Sequence, residues 1–477
     1  MFAYLIPAVV VSFLAVVLVR TLTFRPKSQP ETSKNEVRFD RDASVAALAE
    51  LITCKTVSYT DPALEDEAEF EKLIAKLPVL YPHVFRVCQF QQLPDRALLF
   101  HWTGKTAGAP AVLMAHYDVV PVNENNWEKP AFDAIIEDGI LWGRGTLDTK
   151  VTFNGILFAA NHLIAQGFQP KKDIYFAFSG GEEVNGKGAP NIVRYFMEQG
   201  ITPAMVVDEG GAVVENVFPG VKAPCGLIGI AEKGMINAQF RTASAGGHAS
   251  APKPHTPVGI LARACARVEN HPFKAHIEGP AAQMFDTLGR YSTPLYRMIF
   301  ANLWCFGWVI DLLGKRSGGE MNALVRTTVA FTQMEGSSAR NVIPPEATMV
   351  ANMRLNPADS VESALEHLRK TVKDDTVEIS ALESFEPSPV SETSCPAWDK
   401  VASAVAETWP GCIVSPYLIV QCSDSRHYGK LSNHVYRFSA MDLTAEERAT
   451  IHGNNERIRL ECVHRAVEFF IRLMEKC

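Results

Sequence analysis

Five short motifs in the chain place metal-compatible side chains directly after apolar runs. Imidazole nitrogen and carboxylate oxygen both bind divalent ions, and this mixed ligation favours zinc. Each motif alone has an ordinary explanation, such as a helix N-cap, but the set supplies enough groups for two ions. The motifs occupy residues 114–118, 143–150, 179–183, 207–211 and 451–456, and their candidate side chains are His116, Asp118, Asp148, Glu182, Glu183, Asp208 and His452.

Two of the motifs indicate how these groups would work together. If residues 116–118 are extended, His116 and Asp118 point to the same side, and the carboxylate can fix the ring and tautomer of the imidazole. Glu182 and Glu183 are adjacent acids. In a shared pocket of low dielectric constant such a pair needs a nearby cation, or one of the two must hold a proton.

The elements that must position these groups alternate along the chain. Short apolar runs at 97–101, 111–115, 174–178 and 204–207 predict strands, and helical patterns at 153–166 and 189–199 lie between them. Strands that alternate with helices predict an α/β fold in which helices cover both faces of a sheet. The chemistry is then expected in the loops at the strand ends.

A change of pattern indicates a second domain. Between 235 and 356, strand-like pieces surround a helical stretch at 256–269. We predict that residues 42–234 and 357–477 form one catalytic domain, and that residues 235–356 form a smaller α+β domain inserted into it.

The first twenty residues predict a transmembrane segment. Residues 2–19 carry no charge and just suffice to cross a hydrocarbon core of ~30 Å. A secretory signal normally opens with basic residues, whereas here Arg20, Arg25 and Lys27 follow the segment, so an uncleaved single-pass anchor is favoured. The positive-inside rule would leave the body of the protein cytoplasmic, but the side stays open, and cleavage would make the protein secreted. Residues 21–41 are interpreted as a linker.

Bulk composition excludes several other classes of protein. The 46 Lys and Arg residues against 53 Asp and Glu give a net charge of −7, which does not suit a nucleic-acid binder. The ten cysteines show no CxxC spacing, which argues against a zinc finger and a dense disulfide scaffold.

The order of the motifs resembles that of a known family. The stretches that carry the resemblance are MAHYDVVP, GRGTLDTK, GGEEVNGKGA, VVDEGG, AEKG, GGHASAP, RNVIPP, NMRLNP, SDSRHY and IHGNNE. Over residues 42–475 the chain resembles the aminoacylase, carnosinase and carboxypeptidase S family of dinuclear-zinc metallopeptidases. Within it, the chain is most similar to the N-fatty-acyl-amino-acid synthase/hydrolase branch and to carboxypeptidase S. The resemblance implies a zinc-peptidase-like catalytic domain with a mixed central sheet, and an inserted domain that serves as lid and dimerisation domain.

The resemblance also implies two zinc ions, for which Co²⁺ or Mn²⁺ could substitute. Each ion has three protein ligands and one carboxylate is shared: His116, Asp148 and Asp208 for one ion, and Asp148, Glu183 and His452 for the other. Glu182 would be the general base. The peptide bond between Asp148 and Thr149 is expected to be cis.

Further site residues are implied for the substrate. His248 would stabilise the oxyanion in the active site of a partner subunit, which implies a homodimer. Arg354 and Asn341 are candidates to bind a free substrate carboxylate, because arginine offers a planar bidentate fork. A second candidate group is Ser423, Asp424 and Arg426.

Together these features predict a dizinc amidohydrolase that cleaves the amide bond of N-acyl amino acids, including N-fatty-acyl amino acids, and that could also run the reverse condensation. The alternative is a carboxypeptidase or dipeptidase that releases a C-terminal amino acid with the same residues. A metal-free binding module or a membrane-tethered scaffold would not need this set of ligands.

An aromatic-rich stretch at residues 298–313 has no role in this chemistry. Asn302 and Asp311 interrupt it, and it is too short to span a bilayer. It would form the core of the lid domain, or its Trp304, Phe306 and Trp308 would bind a long acyl chain or rest on a membrane surface.

Overall fold

The computed structural model describes residues 2–30 and 35–477. The helices are α1 (Phe2–Thr23), α2 (Arg41–Ile52), α3 (Glu67–Leu80), α4 (Pro82–Val87), α5 (Lys150–Ala165), α6 (Gly188–Glu198), α7 (Pro257–Asn270), α8 (Gly279–Gly289), α9 (Pro294–Ala301), α10 (Leu303–Ser317), α11 (Gly319–Val325), α12 (Val361–Val372), α13 (Pro396–Thr408), α14 (Ala445–Arg448) and α15 (Leu460–Glu475). The strands are β1 (Gln89–Leu93), β2 (Ala97–Trp102), β3 (Ala111–His116), β4 (Ile135–Glu137), β5 (Ile140–Trp142), β6 (Ile174–Ser179), β7 (Met205–Val214), β8 (Cys225–Glu232), β9 (Gly234–Ala243), β10 (Gly247–His248), β11 (Thr328–Glu335), β12 (Val342–Ile343), β13 (Glu346–Leu355), β14 (Glu378–Phe385), β15 (Ile413–Ile419), β16 (Val435–Leu443) and β17 (Arg457–Arg459).

The main sheet has eight strands in the order β1-β2-β6-β3-β7-β16-β8-β15. It is mixed, because β3 runs parallel to β6 and β7 while β2 runs antiparallel to β1 and β6. This confirms the predicted α/β fold with a mixed central sheet.

Both faces of this sheet are covered, and the strand sequences show why. Along β3, Leu113 belongs to the core that also contains Phe153 of α5, whereas Val112 and Met114 belong to the core that contains Ile192 of α6. Successive residues of a strand point to opposite faces, so a strand buried on both sides must be apolar throughout. Every residue of β3 and β6 is accordingly buried.

The carboxyl ends of the parallel strands bring the motifs to one edge of the sheet. β3 ends at His116, and β6 ends at Ser179, which two glycines separate from the adjacent glutamates. Asp148 lies just before α5, and the peptide bond between it and Thr149 is cis, as the family resemblance implied. His452 lies between α14 and β17.

A second, antiparallel sheet has the strand order β11-β13-β9-β14. Its own core contains Phe240, Leu261, Met349 and Leu368, so helices α7 and α12 pack on it. Because α12 and β14 follow residue 356, this sheet extends beyond the boundary that the sequence pattern suggested.

Helices α8 to α11 also depart from the predicted domain division. They fall within residues 235–356, yet Phe285, Phe300 and Leu324 are buried in the core of the main sheet. The physical reason is that the apolar faces of these helices find their partners on the main sheet, for example where α8 packs on β15.

Helix α1 is long and apolar enough to cross a membrane, a test that a signal sequence near an N-terminus would also pass. Helices α9 and α10 pass the same test only as a pair, and they are bent by 112° at the break between them.

Candidate metal centre

The centre is organised around Asp148, whose carboxylate lies between two imidazole rings. Its Oδ1 is 2.9 Å from Nε2 of His116, and its Oδ2 is 3.0 Å from Nε2 of His452. Glu183 Oε2 lies 3.0 Å from the same nitrogen of His452. The structure therefore brings together four of the five predicted ligands, with Asp148 in the position that a bridging ligand requires.

Two adjacent acids of β7 lie beside the centre, the predicted ligand Asp208 and its neighbour Glu209. Oε1 of Glu209 lies 3.2 Å from Nε2 of His116, and Glu209 groups with His116 and Glu182 in a cluster that could hold a metal ion. Asp208 instead accepts a hydrogen bond of 2.9 Å from the backbone N–H of Ser425. Adjacent residues of β7 point to opposite faces, and Asp208 faces the segment after β15.

Burial shifts the pKa values of the carboxyl groups in this cluster. Burial raises the pKa of Glu183 and of Glu209 to about 7 in each case, and it raises the pKa of Glu182 well above its usual range. Burial also disfavours the ionised form of Asp148, but hydrogen bonds from the two imidazoles hold its pKa below the ordinary value. Several buried carboxylates are thus crowded together, an arrangement that a cation stabilises.

One buried atom points to the same conclusion. Among the residues that the structure describes, Oε1 of Glu183 is a buried oxygen without a hydrogen-bond partner. An unpaired buried oxygen costs free energy, which a metal ion bound to it would offset. The donor set of imidazoles and carboxylates therefore fits two divalent ions.

Asp118 supports the centre from behind. Its Oδ1 lies 3.3 Å from Nδ1 of His116, on the far side of the ring from Asp148. Its two oxygens also accept the backbone N–H groups of Glu182 and Glu183, at 3.1 and 3.2 Å. Asp118 is fully buried and thus holds both the imidazole and the glutamate pair, whereas the sequence suggested only the first contact.

Glu456 positions the bridging carboxylate, and the sequence interpretation did not assign it this role. Its Oε1 accepts the backbone N–H groups of Gly145, Leu147 and Asp148 at 3.1, 2.7 and 3.2 Å. Its Oε2 accepts a bond of 2.5 Å from Arg144. The one available signal was an acid at the end of the fifth motif.

Of the three substrate-binding residues predicted at 423–426, Ser423 and Asp424 are buried and Arg426 is partly exposed. Ser423 is not accessible to substrate, because its hydroxyl donates to the buried carboxylate of Glu232 at 2.8 Å. Arg437 pairs with the same carboxylate. Asp424 accepts a hydrogen bond from Ser179, and its second oxygen has no partner among the described residues. Arg426 donates to the carbonyl of Ser423 and to the side chain of Asn185.

The other three predicted residues lie on the second sheet or its short β10–β12 ribbon. His248 on β10 is exposed, and Asn341 accepts a bond of 2.9 Å from the adjacent Ala249 N–H, so these two lie together. Arg354 at the end of β13 donates to Sγ of Cys422 at 3.1 Å. Arg354 therefore lies beside Cys422, the residue directly before the 423–426 segment.

A mixed α/β sheet with imidazoles and carboxylates gathered at its strand ends defines a metal-dependent hydrolase. Residues 112–476 match the family described as "Peptidase family M20/M25/M40". The chain belongs to this family.

Two curated proteins illustrate the relationship. An N-fatty-acyl-amino acid synthase/hydrolase from Xenopus tropicalis is 36% identical over 99% of this chain and 94% of its own length. A probable carboxypeptidase S-like 2 from Dictyostelium discoideum is 34% identical over 90% of this chain and 84% of its own length.

Solved structures share the fold at lower identity. An M20 family metallo-carboxypeptidase from Sulfolobus solfataricus superposes with a TM-score of 0.65 at 17% identity, covering 91% of this chain and 98% of that one. A Bacillus subtilis protein described as a dinuclear metal binding peptidase superposes with a TM-score of 0.56 at 12% identity, covering 91% and 98%.

Proposed function

We propose that this protein is a dizinc amidohydrolase that cleaves N-acyl amino acids, in particular N-fatty-acyl amino acids, to a carboxylic acid and a free amino acid. The observation that carries the proposal is the Asp148 carboxylate, which lies within 3.0 Å of both imidazoles in a partly buried carboxylate cluster. The relative at 36% identity supports the choice of acyl substrate. Reverse condensation follows from the same site, since a catalyst lowers both barriers alike.

The ligand assignment follows the geometry. His116, Asp148 and Glu209 would hold one ion, and Asp148, Glu183 and His452 would hold the other. The sequence analysis assigned Asp208 to the first ion, whereas the distance to His116 favours Glu209. Divalent cations at these positions would supply Lewis-acid polarisation of an amide carbonyl and a lower pKa for a water molecule.

Glu182 supplies the proton transfers. Its carboxyl group is placed beside the cluster because the backbone N–H of Glu182 is bonded to Asp118. Burial and the nearby acids Asp424, Glu209 and Glu183 raise its pKa, which suits a group that accepts a proton from water and then delivers it to the leaving amine.

His248 is proposed to stabilise the oxyanion. The backbone N–H of Ser250 donates to Nδ1 of His248 at 3.1 Å, so a neutral ring carries its proton on Nε2. That N–H is exposed and available to a developing negative charge. We assign it to the active site of a partner subunit, with the second sheet as lid and dimerisation unit.

The substrate carboxylate is assigned to the accessible cations beside the centre. Arg354 donates to Sγ of Cys422, and Arg426 donates to the carbonyl of Ser423, so both guanidinium groups lie near the same short segment. Asn341 would complete the clamp from the ribbon that carries His248. Helix α1 is proposed as the membrane anchor, with the side of the catalytic body left open.

A carboxypeptidase or dipeptidase is the second candidate, favoured by the carboxypeptidase S-like relative. Hydrolysis of N-oleoyl-phenylalanine, N-acetyl-phenylalanine and Gly-Phe by the full chain in detergent with added zinc separates the candidates. Preference for the oleoyl substrate, abolished in Glu182→Gln, is the expected result. Preference for Gly-Phe would replace the proposal by a peptidase, and oleoyl hydrolysis retained in Glu182→Gln would remove Glu182 from the mechanism.

A further inference from the structure

The bent helix pair α9–α10 exposes a stripe of large apolar side chains. Trp304, Trp308 and Leu312 are 57%, 64% and 38% exposed. Their spacing of four residues places them on one face of α10. The opposite face, which includes Ile310, is buried against the body of the protein. The stripe is therefore not part of a core.

This stripe is continuous with the candidate membrane helix. The ring of Trp304 packs edge-on against Phe13 of α1, with 5.6 Å between the ring centroids. At the carboxyl end of α9, the carbonyl of Ala301 accepts a hydrogen bond of 3.0 Å from Arg20. The pair thus contacts the carboxyl-terminal half of α1, in which Leu14 and Leu18 remain exposed.

The bend between the two helices is built around a polar residue that is fully satisfied. Asn302 is completely buried, and its Nδ2 donates to the carbonyl of Val17 at 3.3 Å, to Oγ1 of Thr21 at 3.2 Å and to the carbonyl of Met298 at 2.9 Å. Its Oδ1 accepts the indole N–H of Trp304 at 3.3 Å. Internal satisfaction of this kind is what an environment without water demands.

The basic residues beside the stripe and the length of α10 indicate how deeply this surface could enter a membrane. Arg20, Arg25 and Lys27 follow the apolar part of α1, and Lys315 and Arg316 end α10. Lys27 and Lys315 pair with Asp286 and Asp311, so the basic groups outside these two ion pairs, Arg20, Arg25 and Arg316, are those that anionic lipid headgroups would meet. Helix α10 has 15 residues and extends about 22 Å, less than the ~30 Å of a hydrocarbon core. It can therefore enter one leaflet but cannot span the bilayer.

We propose that α9–α10 is an interfacial membrane hairpin, docked on α1, whose stripe of Trp304, Trp308 and Leu312 contacts lipid. Tryptophan is the residue best suited to the boundary between headgroups and acyl chains. The hairpin fixes the body of the protein against the membrane surface, where α1 alone would act as a flexible tether. It does not depend on the identity of the substrate.

Quenching of tryptophan fluorescence by brominated lipid tests the proposal on the full chain. The protein is reconstituted into vesicles of phosphatidylcholine, with a minority of phosphatidylserine, in which the phosphatidylcholine is brominated or unmodified. The variant Trp304→Phe with Trp308→Phe keeps the apolar character of the stripe and removes one hydrogen bond of 3.3 Å, from Trp304 to Asn302. The matched control is Trp142→Phe with Trp398→Phe, which removes two half-buried tryptophans elsewhere.

The hairpin variant is expected to lose most of the quenching caused by brominated lipid, while the control retains it. Equal quenching in the wild type and the hairpin variant would overturn the proposal. If a second copy of the chain covered the stripe, Trp304 and Trp308 would be shielded from lipid and would contribute no quenching. That result would also overturn the proposal.

Discussion

Asp148 lies in the middle of the candidate metal centre. Its two oxygens face one imidazole each, and its backbone is fixed by Glu456. His116 is in turn held from behind by Asp118. The placement of one carboxylate therefore depends on buried acids that are not themselves candidate ligands, which is a common feature of metal centres.

The choice between Glu209 and Asp208 gives the first prediction. Glu209→Gln removes a carboxylate that lies beside His116, so we expect the protein to retain about one zinc ion instead of two and to lose activity by roughly 100-fold. Asp208→Asn keeps the hydrogen bond from Ser425 and is expected to retain both ions. Metal content measured on the desalted proteins distinguishes the two. Loss of an ion from Asp208→Asn alone would restore the original assignment.

At the scale of elements, Lys233 joins the two sheets to a helix. It lies between β8 of the main sheet and β9 of the second sheet, and its ammonium group donates to the carbonyls of Ala323 and Arg326 at 2.9 and 2.8 Å. These carbonyls lie at the carboxyl end of α11, where a cation is favourable. The side chain is nevertheless buried, and burial lowers its pKa to about 7.

This lysine predicts a pH dependence of stability. Between pH 7 and roughly 10.4, the unfolded chain binds a proton at Lys233 that the folded chain does not, so the free energy of unfolding rises with pH. The destabilising contribution of Lys233 is fully present below pH 7, and it disappears above the pKa that this lysine has in the unfolded chain. We expect Lys233→Met to reduce the slope by about 1 kcal/mol per pH unit between pH 8 and 9, measured by urea unfolding.

Lys430→Met is a suitable control, because it removes a lysine without touching the junction of the two sheets. It should leave the slope as it is in the wild type. An unchanged slope in Lys233→Met would show that this lysine keeps an ordinary pKa in the folded protein.

The elements were predictable where local pattern decides them. The apolar runs at 111–115 and 174–178 became β3 and β6, since strands buried on both faces must be apolar throughout. The choice between the adjacent acids Asp208 and Glu209 of β7 could not be predicted, because a sequence does not show which face of a strand meets the centre. Nor does it show that β14 pairs with β9 across more than a hundred residues, or that Ser423 is covered by Glu232.

At the scale of the whole molecule, the proposed mechanism needs two subunits. His248 lies exposed on the β10–β12 ribbon, while Glu182 lies among partly buried acids at the edge of the main sheet. If His248 serves the partner's site, each dimer contains two composite sites. Each site combines Glu182 of one chain with His248 of the other.

Complementation between inactive variants tests this arrangement. Glu182→Gln and His248→Ala are each expected to be inactive as homodimers. When the two are co-expressed, half of the dimers are mixed and each contains one complete site, so activity should recover to roughly a quarter of the wild-type value. Hydrolysis of N-oleoyl-phenylalanine provides the measurement. Activity no higher than that of the separate variants would mean that His248 acts within its own chain or not at all.

The bond from the Asp148 N–H to Glu456 joins two residues that are 308 positions apart in the chain. A ribosome adding about 5–20 residues per second needs about 15–60 s to cover that interval. For all of this time the growing polypeptide carries the bridging aspartate on a loop that has no anchor, and His452 has not yet been made. The candidate metal ligands therefore cannot all meet until residues 452–456 have been made, and a chain that stops before residue 452 would carry His116, Asp148 and Glu183 yet never form the complete centre.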